Sequence, residues 1–456
     1  MKPSDILISL SGLCCVASGA AVPGSKSQSS VTEKRQLVGG LLSDVLGLLN
    51  LRTALGSGNR NGVLRALEGF APKTSPTSVA QASAVLEAIT TSSPTTLPEF
   101  NARMITNGII SGSVGELFNF AQGTVTAENS KTNSNPNPPT PVYPKVEACD
   151  APYSVSEASL RAAIYIPNSF TYGRKPPVIL FPGTGSTGYV TFIGNFIPLL
   201  SNVDYADPVW VNVPGNLLDD AQVNAEYAAY ALNYIAALTC RNVSIIAWSQ
   251  GNIDTQWAFK YWPSTRNVTS DHVAVSADYK GTIFADFADV TGVTNDPAVL
   301  QQEAGSNFIR ALRSNGGDSG YVPTTSIYSG FFDEIVEPQQ GTGASAFLLD
   351  ARGVGVTNSE AQVVCNGQVA GSFYTHESLL ASPLTFALAK DALTHDGPGL
   401  PSRLDLGTVC STYLAPGLGL DDFLLTENAI LVSGLSLVLY LPKVASEPPL
   451  MPYVTT

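Results

Sequence analysis

A serine stands where the chain passes from a β-rich run into a helix-like segment. The run Val-Ser-Ile-Ile-Ala at 243–247 is followed by Trp-Ser249-Gln-Gly and then by a segment with apolar periodicity. In a strand–serine–helix turn the flanking residues must be small, because the backbone turns tightly. Ala247 and Gly251 meet that demand, although a bare S-x-G is common and a structural turn serine is the alternative. The context predicts Ser249 as a nucleophile at the end of a strand.

Three histidines could take the serine's proton, and a hydroxyl needs such a base before it can attack. His272 lies at the entry of a β-rich run, the wrong end of a parallel sheet for catalysis. His395 lies in a Thr-His-Asp-Gly-Pro-Gly turn, which favours a solvated side chain. His376 follows the candidate acids, and α/β-hydrolases use the order serine, acid, histidine. We predict His376 as the base, with His395 as the alternative.

An acid is needed to orient the imidazole and to stabilise its charged form. Asp333 comes just past the β-rich run 326–328, where the end of a strand would present it. Glu334 is the neighbouring rival, and a turn-forming aspartate is the structural alternative. The strand-end position and the shorter side chain favour Asp333.

The glycine-rich segment 181–188, Phe-Pro-Gly-Thr-Gly-Ser-Thr-Gly, follows the first predicted strand. An oxyanion formed by attack on a carbonyl needs two or more hydrogen-bond donors. Thr184 offers a backbone and a hydroxyl donor, and the backbone N–H of Gln250 directly follows the nucleophile. A phosphate-binding loop is the alternative, but the lysine of that motif is missing. We therefore predict Thr184 and Gln250 as the oxyanion hole.

The elements that must position these residues alternate between strands and helices. The β-rich runs lie at 178–181, 243–247, 273–276 and 326–328. Between the first two, a helix begins after Asp219 and Asp220 and keeps its apolar residues on one face. This alternation predicts an α/β fold with a mostly parallel sheet, helices on both of its faces, and catalytic groups at the carboxyl ends of the strands.

The N-terminal third carries no catalytic motif, and its composition changes several times. A basic residue, a short apolar stretch and small residues predict a signal peptide, and the dibasic pair Lys34-Arg35 suggests pro-peptide removal. Apolar residues at helical spacing then predict a small helical region, which could be a cap, a second pro-region or an independent lipid- or partner-binding module. The predicted segments are a signal peptide at 1–20, a pro-peptide at 21–35, a helical N-terminal region at 36–128, a Pro/Asn/Ser-rich linker at 129–142 and a catalytic domain at 143–456.

The composition of the chain limits the classes of molecule that the protein is expected to bind. Hydrophobic residues make up 44% and charged residues 13% of the chain, which allows a large core, and the net charge of −13 argues against nucleic-acid binding. The apolar run 429–441 is too short to span a membrane and predicts a buried core helix whose apolar face could also line a substrate channel, so stable membrane insertion is not expected. No oligomeric state is assigned.

Cysteine usage agrees with secretion. Without the two cysteines of the leader, four remain, and an oxidising compartment would allow two disulfides in three connectivities. None has C-x-x-C spacing, so neither a metal site nor a redox site is expected. Asn242-Val-Ser and Asn267-Val-Thr are acceptor sequences for glycosylation if they are exposed.

Seven motifs together resemble the lipase B-like family of α/β-hydrolases over residues 145–453. They are Pro-Gly-Thr-Gly-x-Thr-Gly, Trp-Ser-Gln-Gly, Asp-Tyr-Lys-Gly-Thr at 278–282, Val-Pro-Thr-Thr at 322–325, Asp-Glu-Ile-Val, Ala-Gln-x-Val-Cys365 and Leu-Met-Pro-Tyr453. The resemblance implies the α/β-hydrolase fold and a triad of Ser249, Asp333 and His376. Its other implied roles are oxyanion donors at Thr184 and Gln250, an alcohol subsite at Trp248, Ser186 and Thr191, a buried acid at Asp278, an acyl-channel wall at Leu431 and Val438, and a disulfide between Cys365 and Cys410.

Two departures from that family stand out. Its other two disulfides are not reproduced, which leaves Cys149 and Cys240 to form a new pair. The segment 36–142 has no counterpart in the resemblance, so a lid or regulatory role is open for it.

The reaction expected from these residues is acyl transfer on carboxylic esters, without a metal or cofactor. A secreted triacylglycerol lipase is the first interpretation, with an ester or lipid as substrate. An esterase on short-chain or polymeric esters is the alternative. A catalytically inactive secreted binding protein is a third interpretation, which the intact triad and oxyanion segment oppose.

Overall fold

The computed structural model describes residues 45–123, 126–283, 295–330 and 332–454. These residues belong to one compact unit. The predicted signal peptide and pro-peptide lie outside the described residues, as do the first residues of the predicted helical region.

A seven-stranded sheet forms the centre of the described chain, in the order β1-β3-β2-β4-β5-β6-β7. The strands are β1 (Ile164–Tyr165), β2 (Pro177–Phe181), β3 (Asp207–Val211), β4 (Val243–Trp248), β5 (Thr269–Val275), β6 (Thr324–Tyr328) and β7 (Val356–Glu360). Only β1 runs antiparallel to its neighbour, and all other pairs are parallel. The mostly parallel sheet and the four predicted strands are therefore confirmed, three of them within about two residues, while β5 begins four residues earlier than predicted.

The sheet is covered by helices on both faces, so its central strands are apolar on both sides. Val178 and Leu180 of β2 point into one apolar core, while Ile179 and Phe181 point into the other. This is the alternation expected of successive residues on a strand. The near-continuous apolar runs in the sequence are the signature of this double burial.

The helices of the described chain number seventeen, apart from short 3₁₀ turns. They are α1 (Val45–Gly56), α2 (Arg60–Glu68), α3 (Val79–Thr91), α4 (Leu97–Thr106), α5 (Val114–Gln122), α6 (Glu157–Ala162), α7 (Gly188–Phe192), α8 (Phe196–Leu200), α9 (Ala221–Thr239), α10 (Gln250–Tyr261), α11 (Ser264–Val268), α12 (Pro297–Gln301), α13 (Asn307–Arg313), α14 (Ala361–Val364), α15 (Pro383–Thr394), α16 (Leu406–Val409) and α17 (Leu420–Leu439). Helix α9 is the one predicted after Asp220, whose side chain accepts a hydrogen bond from Gln222 N and so caps it.

Helix α17 is long and apolar enough to cross a membrane by length and composition, with a mean hydropathy of 1.5. However, 78% of its most apolar window is buried inside the protein. The prediction of a buried core helix from the run 429–441 is therefore confirmed, although the helix begins earlier and ends at Leu439.

The N-terminal helices pack against α17 rather than forming a separate module. Helices α4 and α5 both contact it, and the Arg60 guanidinium of α2 donates to the carbonyls of Val438 and Leu439 at its last turn. The segment predicted as a linker is also attached, since Asn129 is fully buried and accepts a hydrogen bond from Thr187 Oγ1. Residues 129–142 therefore do not separate two compact units in the described chain.

One of the two expected disulfides is present. Cys365 and Cys410 are bonded and fully buried, with their Cα atoms 5.4 Å apart. The bond closes a loop of 45 residues, which in the chain-entropy model stabilises the fold by roughly 4 kcal/mol.

The predicted pairing of Cys149 with Cys240 is wrong, because among the described cysteines both are free and exposed. Asp150, next to Cys149, accepts a hydrogen bond from Ser264 N, and Ser264 Oγ accepts one from Asn233 of α9. Cys240 lies seven residues beyond Asn233, about 10 Å further along the helix direction. A disulfide requires Cα atoms within about 7 Å, and Cys240 lies too far from Cys149 to meet this condition. The even number of cysteines was therefore not evidence that these two form a pair.

Candidate active site

Ser249 occupies the turn between β4 and α10, in the left-handed region at φ 54°. A serine in this region is strained, and the surrounding chain must hold it there. A side chain at Gly251 would place its Cβ 2.2 Å from the Pro182 carbonyl oxygen, and one at Gly183 would lie 2.7 Å from Ser249 Cβ. The two glycines therefore let the segment after β2 approach the serine turn closely.

Asp333 and His376 meet at the carboxyl end of the sheet. His376 Nδ1 lies 3.0 Å from Asp333 Oδ1 and 2.9 Å from Oδ2, with both side chains buried. Asp333 Oδ1 also accepts the backbone N–H groups of Ile335 and Val336, which fix the carboxylate. Nε2 of His376 has no hydrogen-bond partner among the described residues. The contact at Nδ1 thus leaves the other ring nitrogen available as a proton acceptor.

The pKa of His376 reflects opposing causes. Burial alone would lower it, because the protonated imidazole loses its hydration. The Asp333 carboxylate, by charge and by hydrogen bond, outweighs this effect and raises the pKa above its ordinary value, with Glu334 and Asp278 contributing. This environment stabilises the imidazolium that proton abstraction would form.

The backbone of His376 is held at three points. Its carbonyl accepts hydrogen bonds from Trp248 Nε1 at 3.0 Å and from Ser276 Oγ at 2.9 Å. Its N–H donates to Glu334 Oε2 at 3.0 Å. Trp248 also stacks obliquely on the imidazole, with 5.0 Å between the ring centroids. Because Trp248 immediately precedes Ser249, these contacts bring His376 to the end of β4, beside the serine turn.

The other two histidines lie elsewhere. His272 is fully buried in β5, with Nε2 3.1 Å from Asn252 Oδ1, and burial lowers its pKa to about 3. His395 caps the end of α15 at the surface, with its side chain 54% exposed and 3.1 Å from Asp391. Neither is bonded to Asp333 or to Ser249 in the part of the chain that the structure describes, although Asn252, the partner of His272, donates to the Ser249 carbonyl. The alternatives left open by the sequence therefore do not compete in the structure.

The predicted oxyanion residues belong to one hydrogen-bonded group. Thr184 Oγ1 lies 2.8 Å from Gln250 Oε1 and 3.0 Å from Gln302 Oε1. Gln302 Nε2 independently donates to Gln250 Oε1 at 3.1 Å, so the Thr184 hydroxyl can turn to another acceptor without leaving that oxygen unpaired. The backbone N–H of Gln250 is in the first turn of α10, where no intrahelical acceptor exists. Gln302 was missed by the sequence analysis, since no local motif marks it.

Asp278 lies just beyond β5 and is fully buried, with neither carboxyl oxygen bonded to a described residue. Burial raises its pKa to about 7, while the nearby His376 acts in the opposite direction. The buried acid implied by the resemblance is therefore close enough to the histidine to interact with it.

The residues predicted to line the substrate pocket are all buried, in two places. Ser186 and Thr191 are bonded to each other through their hydroxyls at 2.9 Å, near α7. Leu431 and Val438 lie two turns apart on one face of α17. Gly185, next to Thr184, lies so close to α17 that a Cβ would come within 2.7 Å of Ser433 Cα. The helix therefore packs directly on the candidate oxyanion segment.

No family model matches the sequence. Lipase B of Pseudozyma antarctica is 34% identical over 312 residues, which cover 67% of this chain and 86% of that protein. The crystal structure of Aspergillus fumigatus lipase B superposes with a TM-score of 0.78 at 44% identity, covering 87% of this chain and 96% of that one.

The second match also bears on the N-terminal helices. An overlap of 87% of 456 residues extends well beyond residues 143–456, so it includes part of the segment before them. The expectation that 36–142 has no counterpart is therefore wrong: the Aspergillus fumigatus protein shares part of it.

Proposed function

The chain belongs to the lipase B family of α/β-hydrolases and is a carboxylic ester hydrolase; from that premise we propose that it is a secreted triacylglycerol lipase acting through Ser249, His376 and Asp333. One observation carries the proposal. The imidazole of His376 is bonded to Asp333 through Nδ1, while Nε2 is unpaired among the described residues beside the serine turn. This is the arrangement that a base needs to activate a serine hydroxyl.

In the first step, His376 Nε2 removes the proton of Ser249 Oγ as the oxygen attacks the ester carbonyl. The negative charge that develops on the carbonyl oxygen is stabilised by the Gln250 N–H and by the backbone and hydroxyl donors of Thr184. The imidazolium then gives its proton to the departing alcohol. The acyl group remains on Ser249 as an ester.

In the second step, water or another alcohol attacks the acyl-enzyme with His376 again as base. Asp333 keeps its charge throughout and holds the imidazole in the orientation that both steps use. Because the base must be neutral, kcat/KM should fall on acidification through the pKa of His376, which is raised above its ordinary value mainly by Asp333 acting against burial. A profile that stays flat from about pH 5 to 9 would contradict this assignment.

Secretion has independent support from the folded chain. A fully buried disulfide between Cys365 and Cys410 is typical of proteins that fold in an oxidising compartment. Both glycosylation sequences are at exposed asparagines, as a glycan requires. Asn267 donates a hydrogen bond to Glu147 Oε1, whereas Asn242 is the less constrained acceptor.

Hydrolysis of a p-nitrophenyl ester series from acetyl to palmitoyl, by the wild type and by Ser249→Ala, tests the proposal. Loss of the nucleophile should lower kcat by about 10⁶-fold for every ester. Equal rates for the two proteins would mean that Ser249 is not the nucleophile. Thr171→Ala is a suitable control, since Thr171 donates to Asp207 at the amino end of β3, whereas the site lies at the carboxyl ends of the strands.

The same series separates a lipase from an esterase. Preference for long acyl chains, together with activity on emulsified triacylglycerol, supports the lipase assignment. Activity confined to acetyl and butyryl esters would overturn it in favour of a short-chain esterase, while leaving the serine mechanism intact.

A further inference from the structure

Three glutamates form a buried group behind the proposed catalytic histidine. Glu334 follows Asp333, Glu377 follows His376, and Glu427 lies on α17. Glu377 and Glu427 are fully buried, and Oε1 of Glu334 is buried although that residue is partly exposed as a whole. The Glu377 carboxyl is within hydrogen-bonding reach of both other carboxyls. The group therefore links the loops of Asp333 and His376 to α17.

Few of the donors that usually accompany buried carboxylates are present here. Glu334 Oε2 accepts the His376 N–H, but Glu334 Oε1 and both carboxyl oxygens of Glu377 and Glu427 receive no well-formed hydrogen bond from the described residues. The Thr375 hydroxyl reaches both Ser378 Oγ, at 2.8 Å, and the Glu427 carboxyl, so it is one donor facing three carboxyl groups. Protons on the carboxyl groups themselves supply the donors that this hydroxyl does not.

The charged and titratable groups that face the cluster do not neutralise it. Asp333 adds a further negative charge from the loop of Glu334, and Tyr413 faces Glu377 and Glu427 from the segment before α17. His376 is the cationic partner when protonated, and it is already paired with Asp333. Three unprotonated carboxylates in this place would repel one another without compensation.

Burial, followed by repulsion between the carboxyl groups, raises the pKa of Glu334 and of Glu377 well above ordinary values. Burial raises the pKa of Glu427 to about 8. The native state therefore binds more protons than the unfolded chain, and its stability declines as pH rises from about 4.5 towards about 8.

We propose that Glu334, Glu377 and Glu427 are positioning residues that share protons, and that this shared-proton group attaches the backbone of His376 to α17 only while it remains protonated. The inference rests on the proposed function, because it concerns the histidine that serves as base there. Loss of the protons leaves like charges facing one another between the His376 loop and α17. The contact between the His376 loop and α17 then weakens. As a result kcat/KM falls at alkaline pH, which titration of the triad alone would not cause.

Glu377→Gln and Glu427→Gln test this directly, because an amide supplies N–H donors and does not titrate. With p-nitrophenyl butyrate, corrected for spontaneous hydrolysis, kcat/KM of the wild type should fall by about tenfold between pH 7 and 9, as titration of one group near pH 8 requires. Each variant should lose no more than about threefold over that range. This fall of kcat/KM above pH 7 is the alkaline limb of the pH profile. An alkaline limb in both variants that is identical to that of the wild type would overturn the proposal.

Glu226→Gln is the matched control. Glu226 is also buried, but it accepts hydrogen bonds from Ser154 and Val155 N–H groups on the far side of the sheet. This variant should lower Tm without shifting the alkaline limb. A shift as large as those of the cluster variants would show that any buried glutamine has this effect, and would overturn the assignment.

A measurement that needs no substrate distinguishes this proposal from the proposed function. In the infrared spectrum, the C=O band of protonated carboxyl groups should be weaker at pH 7 in each glutamine variant than in the wild type. If one variant does not fold, the other decides, because its band must decline less between pH 7 and 9 than that of the wild type, to which Asp278 also contributes. A band that is unchanged over that range would overturn the shared-proton group, whereas absent ester hydrolysis with a declining band would count against the lipase assignment alone.

Discussion

The catalytic residues and the apolar helix α17 are positioned in two different ways. Ser249 directly follows β4, Asp333 lies five residues beyond the end of β6, and His376 lies in the segment that follows β7 and α14. Helix α17 is instead held from outside, by Arg60 at its last turn and by Asn101, whose Nδ2 lies 3.2 Å from the Leu431 carbonyl oxygen. The first arrangement follows from sheet topology, whereas the second depends on contacts between residues more than 300 positions apart.

This difference separates chemistry from substrate fit. Contacts at the carboxyl ends of the strands position the groups that transfer the proton and stabilise the charge. Their loss should therefore lower kcat for every ester. Contacts between the N-terminal helices and α17 fix the wall on which the predicted acyl-channel residues lie. Their loss should change stability and chain-length preference and leave the chemical step largely intact.

The largest expected effect comes from Asp333→Asn, which keeps the shape of the side chain but no longer stabilises the imidazolium. We expect kcat to fall by about 10⁴-fold for short and long esters alike. His395→Ala is the control, because it removes the surface histidine that pairs with Asp391. A loss below tenfold for Asp333→Asn would remove this residue from the catalytic group.

The second effect concerns the disulfide, which encloses the His376 segment. Replacing Cys365 and Cys410 together by alanine should lower the free energy of unfolding by roughly 4 kcal/mol, measured by denaturant titration. Because the triad geometry depends on other contacts, kcat of the folded variant at low temperature should change by less than about threefold. Cys149→Ser with Cys240→Ser is the matched control and should shift stability by no more than about 0.5 kcal/mol. An equally large loss in the control would restore the rejected pairing.

The smallest effect is expected where the N-terminal helices meet α17. A Cβ at Gly434 would lie 2.1 Å from Asn101 Nδ2, so Gly434→Ala must displace this side chain or separate the two helices. We expect a loss of about 1–3 kcal/mol in stability and a change in the palmitoyl-to-butyryl rate ratio. Arg60→Ala should act in the same direction, while Arg65→Ala, exposed on the same helix α2, should not. A uniform fall in kcat for all esters would contradict the separation of chemistry from fit.

The sequence was informative where geometry is local. The strand, the serine and the small residues around it lie within ten positions, so the turn could be read directly, and three histidines left a short search for the base. The sheet was predictable because double burial produces runs of apolar residues. By contrast, Gln302 and Glu427 are marked by no neighbouring pattern, since their roles arise only when distant segments fold together. The wrong prediction of a Cys149–Cys240 disulfide has the same cause, because a count of cysteines says nothing about the distance between them in the fold.

The contact between Arg60 and the end of α17 has a consequence for how the chain is made. Its two partners are 378 residues apart, so the helices synthesised first remain without their packing surface until almost the whole polypeptide has been produced. The buried face of α17 likewise has no cover if those helices are absent. Truncation from either end should therefore expose apolar surface at the same place and lead to aggregation, with chaperone dependence greatest late in synthesis.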